Sequence, residues 1–60
     1  MDKEKILFWA GIAEDKAGKL NIKGDIDGYI AGYVLRKFKK PDTPKNRSII
    51  LDFIVKNQFI

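Results

Sequence analysis

Leu20-Asn21-Ile22-Lys23-Gly24-Asp25-Ile26-Asp27-Gly28-Tyr29-Ile30-Ala31-Gly32-Tyr33-Val34-Leu35 is the stretch on which the fold turns. Asp27-Gly28 lies at its centre, and both residue types tolerate the left-handed backbone that a two-residue type I′ hairpin turn demands. A turn there pairs Ile26 with Tyr29, Gly24 with Ala31, Ile22 with Tyr33 and Leu20 with Leu35, all on one face. The opposite face then carries Asn21, Lys23 and Asp25 against Ile30, Gly32, Val34 and Arg36, the mixed surface expected on the wetter side of an antiparallel sheet. Turn chemistry and alternation agree on a hairpin.

Two further breaks flank this stretch. Asp15-Lys16-Ala17-Gly18-Lys19 reads as a short hairpin loop with Gly18 at positive φ. Pro41-Asp42-Thr43-Pro44, continuing through Lys45 and Asn46, reads as a longer loop. The breaks leave four runs of similar length, residues 6–13, 20–26, 29–38 and 49–56, and even spacing of this kind suggests a β-meander. In the last run Ile49, Leu51, Phe53 and Val55 alternate with Ile50, Asp52, Ile54 and Lys56, which favours a strand rich in β-branched and aromatic residues. Its rival is a helix from about Thr43, capped by Thr43 or Ser48, with Ile50, Phe53 and Ile54 as its apolar stripe. The first run has the same ambiguity: Ile6, Phe8, Ala10 and Ile12 alternate, yet residues 3–16 could wind as a helix with Gly11 as its weak point. The expected fold class is therefore all-β, a small four-stranded antiparallel meander or open barrel forming one domain over residues 1–60. The alternative is α+β, with the N-terminal segment, the C-terminal segment or both helical.

At 60 residues the chain is near the lower limit for independent folding, since a domain this short buries only about 60% of the surface its unfolded chain exposes. It has no Cys and no His. Disulfides, thiolate metal sites and an imidazole base are thereby excluded. Hydrophobic burial must hold the fold, and 45% apolar residues with four Phe, two Tyr and one Trp supply the material. Association into a homodimer would add to it. The longest mainly apolar run, residues 6–13, is far short of the roughly 20 residues that span a bilayer and follows Asp2 and Glu4. No membrane span or secretory signal is expected, and a cytoplasmic location is the default.

Net charge is +4, but its distribution is uneven. Residues 36–47 hold Arg36, Lys37, Lys39, Lys40, Lys45 and Arg47 against the single acid Asp42, a local +5, and the rest of the chain carries −1. Such a field favours a polyanion or an acidic protein face. Its bland counterpart is a solvated loop whose lysines discourage aggregation at a sheet edge.

The inventory for catalysis is thin. Ser48 is the only serine and Thr43 the only threonine, with no His to activate either, so no enzyme activity is expected. Asp25-Ile26-Asp27-Gly28 fails as a calcium loop, because Gly28 at the sixth position places Lys23 at the first and Val34 at the twelfth, where acids are required. Gly24, Gly28 and Gly32 lack the Lys-Ser or Lys-Thr of a phosphate-cradling loop. No metal site and no cofactor is expected.

Two stretches resemble known families. Phe8-Trp9-Ala10-Gly11-Ile12, followed by Glu14, Asp15 and Gly18, resembles the LAGLIDADG homing endonuclease motif, where a helix ends in a metal-binding acid before a DNA-binding strand. The spacing here is one residue longer, Trp9 and Ala13 depart from the pattern, and the chain is too short for that family's four-stranded half-saddle. Residues 20–26, followed by the basic segment and Asn46-Arg47-Ser48-Ile49-Ile50, are similar to a ribbon-helix-helix repressor, which implies Asn21, Lys23 and Asp25 as base readers on a dimeric ribbon. Gly28, Gly32 and apolar residues on every side depart from that pattern between the two. Neither resemblance transfers functional residues.

Binding remains. The expected function is a small basic non-enzymatic nucleic-acid-binding protein, with DNA favoured. Arg36, Lys37, Lys39, Lys40, Lys45 and Arg47 would neutralise phosphates from an ordered strand end and the loop after it. Phe38, helped by Trp9 or Tyr29, would stack on unpaired bases. Tyr29, Tyr33 and Trp9 are otherwise expected in the core or an interface. The alternative function is a protein-binding module or inhibitor that docks an acidic partner through an edge strand or a basic loop.

Overall fold

The computed structural model describes residues 2–58 and contains three helices, α1 (Lys3–Lys19), α2 (Ile26–Lys37) and α3 (Pro44–Gln58). No strand occurs among the described residues, which overturns both the all-β meander and its α+β alternative. An edge strand for partner docking and the ribbon of a ribbon-helix-helix protein lapse with it. Asn21, Lys23 and Asp25 lie on the α1–α2 connection.

Asp27-Gly28 misled because its residue types also open helices. Asp25 adopts a left-handed conformation (φ 40°) and caps α2, its Oδ1 accepting a hydrogen bond from the Gly28 amide at 3.2 Å. A Cβ at position 28 would collide with the Asp25 carboxylate, so the glycine makes room for the cap instead of forming a hairpin. Beyond the cap, Gly28, Ala31, Gly32, Tyr33, Val34 and Leu35 are all buried. A helix covered on most sides satisfies a period of two as readily as one of 3.6, and the alternation of Tyr29, Ala31, Tyr33 and Leu35 therefore carried no information about strand.

In α1 the cap is Asp2, whose Oδ1 accepts from the Glu4 amide at 2.9 Å. Ile6, Ala10, Ala13 and Ala17 form the buried stripe at helical spacing, and the three alanines let α2 approach closely. The expected hairpin loop at residues 15–19 is instead the end of α1, carrying an exposed Lys19–Asp15 ion pair at 3.2 Å across one turn. In α3, Pro44 takes the first helical position and the Thr43 hydroxyl accepts from the Asn46 amide at 3.2 Å. Of the expected long loop, residues 41–43 do lie on the α2–α3 connection, whereas Pro44, Lys45 and Asn46 form the first turn of α3.

Both connections begin with the same closure. After α1 the Asn21 amide donates to the Gly18 carbonyl at 3.1 Å and the Ile22 amide to the Ala17 carbonyl at 3.0 Å. After α2 the Lys39 amide donates to the Arg36 carbonyl at 3.1 Å and the Lys40 amide to the Leu35 carbonyl at 2.9 Å. These are Schellman motifs, and each needs a left-handed residue, supplied by Asn21 (φ 58°) and Lys39 (φ 56°) without a glycine.

The core gathers on α2, which packs against α1 on one side and α3 on the other. Ile6 and Ala10 of α1, Ala31, Val34 and Leu35 of α2, and Ile50 and Ile54 of α3 form one buried cluster. Trp9, Ile30, Phe38, Leu51 and Phe53 close over it.

Two glycines of α1 have no packing reason to be glycine. A Cβ at Gly11 or Gly18 meets nothing within 4 Å, and neither residue has positive φ. Replacing both with alanine is expected to stabilise the fold by about 1–2 kcal/mol. That corresponds to a thermal midpoint raised by about 4–16 °C in circular dichroism melts.

Candidate nucleic-acid interface

Helical spacing places Trp9, Lys16 and Leu20 along one side of α1 and Tyr29, Tyr33, Arg36 and Lys37 along one side of α2. Where these sides meet, four aromatic rings run in a row. Phe8 packs edge-on against Trp9 at 5.0 Å between centroids, Trp9 lies 6.4 Å from Tyr33, and Tyr33 lies 6.3 Å from Tyr29. Tyr33 is buried, Trp9 and Tyr29 are half-buried, and Phe8 is 59% exposed.

Cations lie over this row. The Lys37 ammonium is 4.8 Å from the Trp9 ring centroid and 5.2 Å from that of Tyr33, and the Lys16 ammonium is 5.3 Å from the Tyr33 centroid. Attraction of each ammonium to the ring quadrupole restrains two otherwise mobile charges against the aromatic surface. Beside them opens a groove of about 400 Å³ walled by Lys16, Lys19, Leu20, Tyr29, Tyr33 and Arg36. Its walls hold three cations and no carboxylate. Two other surface grooves differ: the one between Ile26, Ile30 and Leu51 carries Glu14 and Asp27, and the one beside Gly32 carries Asp25 and Asp42. Among the three, only the α1–α2 groove combines an apolar floor with walls whose charged side chains are all cations, the carboxylate paired with Lys19, Asp15, lying outside it.

The residues expected from sequence to bind phosphate fall into three groups. Arg36 and Lys37 occupy the last turn of α2 and belong to the α1–α2 face. Lys39 and Lys40 form the exposed closure that follows, and Lys45 lies exposed in the first turn of α3. The expected strand end is thus a helix end followed by a turn. Arg47 is engaged by Asp42: its Nε donates to Oδ1 and its Nη2 donates to Oδ2 at 2.9 Å. Phe38 is half-buried against the core cluster, as Trp9 is, and does not line the α1–α2 groove. Lys16, Lys19, Leu20 and Tyr33 were missing from the expected site because a strand reading separates the two tyrosines from α1. The available signal was the recurrence of Tyr29, Tyr33 and Lys37 at every fourth residue.

The Asp42–Arg47 pair rests on α2 at Gly32, where a Cβ would stand 3.2 Å from Asp42 Oδ2. The Arg47 guanidinium bonded to it holds the Asp42 carboxyl below its ordinary value of 3.8, with Arg36 adding a smaller pull. A carboxyl depressed in the folded state contributes stability above its unfolded-state value, and that contribution is lost as pH falls through the folded value. Acidification below about pH 4 is therefore expected to lower the thermal midpoint more in the wild type than in Asp42→Asn, as read by paired melts at pH 7 and pH 2.5.

Lys39 has an exposed side chain on a left-handed backbone that glycine adopts without a Cβ clash. Lys39→Gly is expected to stabilise the fold by about 1 kcal/mol while removing one cation beside the interface. Chemical denaturation and a binding titration on the same variant separate the two effects.

No cluster of three or more acidic, His or Cys side chains suited to a metal ion occurs among the described residues. No helix among them is long and apolar enough to cross a membrane. Compared with known protein families, curated proteins and solved structures, the chain matches none of them. Fold and site together define a three-helix protein with a cationic aromatic face on its first two helices.

Proposed function

We propose that this protein binds nucleic acid, without catalysis, through the α1–α2 face. The observation that carries the reading is the groove with Lys16, Lys19 and Arg36 in its walls and no carboxylate, continuous with Lys37 over Trp9 and Tyr33. Phosphates would take the ammonium and guanidinium groups as partners, and each one neutralised releases counterions, which makes the affinity salt-dependent. Lys39, Lys40 and Lys45 lie outside the groove, exposed on the closure after α2 and in the first turn of α3.

Two local costs in the same region support the reading. Lys39 keeps a left-handed backbone where glycine would be cheaper. The first turn of α3 carries Lys45 and no acid, against the sense of the helix dipole, while Arg47 in the same turn is offset by its pair with Asp42. Charge retained at positions where stability argues for something else is expected at a functional surface.

The test is fluorescence anisotropy of labelled oligonucleotides titrated with the protein from 20 to 300 mM salt. Binding that weakens linearly in log–log form with salt supports the reading, and absence of binding at 20 mM refutes it.

A further inference from the structure

Phosphate contacts alone leave the apolar part of the α1–α2 groove without a use. Leu20, at its lip, is 64% exposed, the most exposed of the large apolar side chains among the described residues, and Tyr29 is half-buried beside it. The groove, at about 400 Å³, falls within the roughly 300–1,000 Å³ that small-molecule sites occupy. In a duplex the base faces are stacked on one another and cannot enter such a groove. In a single strand they are free, and a base has an apolar π-face flanked on both sides by phosphate.

From this match of shape and charge we infer that the occupant of the groove is one unpaired base of a single-stranded nucleic acid, seated against Tyr29 and Leu20. Lys16, Lys19 and Arg36 hold the adjoining phosphates. The inference rests on the nucleic-acid reading above and narrows it to single strands. The walls contain no Asn, Gln, Asp or Glu, the side chains that pair with adenine or accept from cytosine, so neither of those bases has a matched partner there.

The experiment compares three 12-nucleotide probes of equal length at 50 mM salt: oligothymidylate, an abasic strand with the same phosphates, and a blunt duplex. Oligothymidylate is expected to bind about tenfold or more tightly than the abasic strand, in keeping with the usual effect of one base–aromatic stack, and more tightly than the duplex. Tyr29→Ala is expected to remove the difference between thymidylate and abasic strands while leaving abasic affinity in place, with circular dichroism verifying its helical content. Should that variant fail to fold, the wild-type comparison of thymidylate with abasic strand decides by itself. Equal binding of those two strands, or tighter binding of the duplex, overturns the single-strand inference and leaves the phosphate-binding reading standing. Failure of all three probes to bind overturns both.

Discussion

Leu35→Ala is expected to leave the protein largely unfolded at 37 °C, the largest effect of any single substitution considered. Leu35 is fully buried in the last turn of α2, within the cluster that joins α1 to α3. Truncating a buried leucine removes its transfer free energy and leaves a cavity, a loss of about 2–5 kcal/mol. A chain of 60 residues has a total stability of only about 3–9 kcal/mol at ordinary stability per residue. The two ranges overlap, so a midpoint lowered by more than about 10 °C is the minimum outcome. A melt shifted by less than about 5 °C would contradict the placement of Leu35 at the junction of all three helices. Combining it with Gly11→Ala and Gly18→Ala should recover about 1–2 kcal/mol, because those sites share no contacts with the cluster.

Lys16→Gln with Lys37→Gln is expected to halve the salt dependence of single-strand binding. Lys16, Lys19, Arg36 and Lys37 are the four cations of the groove and the aromatic row. If each neutralises one phosphate, log affinity falls with log salt at a slope of about −2.8, and affinity drops about 50-fold between 50 and 200 mM. Removing two of the four brings the slope to about −1.4 and the loss to about sevenfold over the same range. The corresponding change at Lys3 and Lys5, exposed at the first turn of α1, is expected to leave the slope near its wild-type value. Anisotropy titrations at four salt concentrations measure both. An unchanged slope in the Lys16/Lys37 variant would place the phosphate contacts on another face.

Much of the helical structure had a sequence signal that was outweighed. Thr43, Pro44 and the stripe Ile50, Phe53, Ile54 describe a capped helix, and residues 3–16 admit one. In both runs the strand reading outweighed the helix through alternation, of Ile6, Phe8, Ala10 and Ile12 in the first and of Ile49, Leu51, Phe53 and Val55 in the last. The Asp27-Gly28 hairpin failed for a physical reason specific to α2. A central helix must be small and apolar on two sides, so it loses the polar stripe by which an amphipathic helix declares its period. The basic segment was legible as charge, since net charge needs no fold to be counted. Its pairing was not legible. Asp42 reaches Arg47 only because Thr43 starts a helix at that point, and Lys16 reaches Tyr33 only because α1 and α2 run side by side.

The position of α2 between its two neighbours also governs how the molecule opens. Neither α1 nor α3 can cover the apolar surface of α2 alone, and α1 and α3 meet each other sparsely. Loss of either outer helix therefore strips one flank of the core, and partial structures of two helices have little to hold them. Amide hydrogens of Ala31, Val34 and Leu35 should consequently exchange with solvent only when the whole chain opens, at a free energy equal to the global one. Those near Gly11 should exchange through smaller local openings. In exchange measurements the protein would behave as one cooperative unit whose slowest protons mark its middle helix.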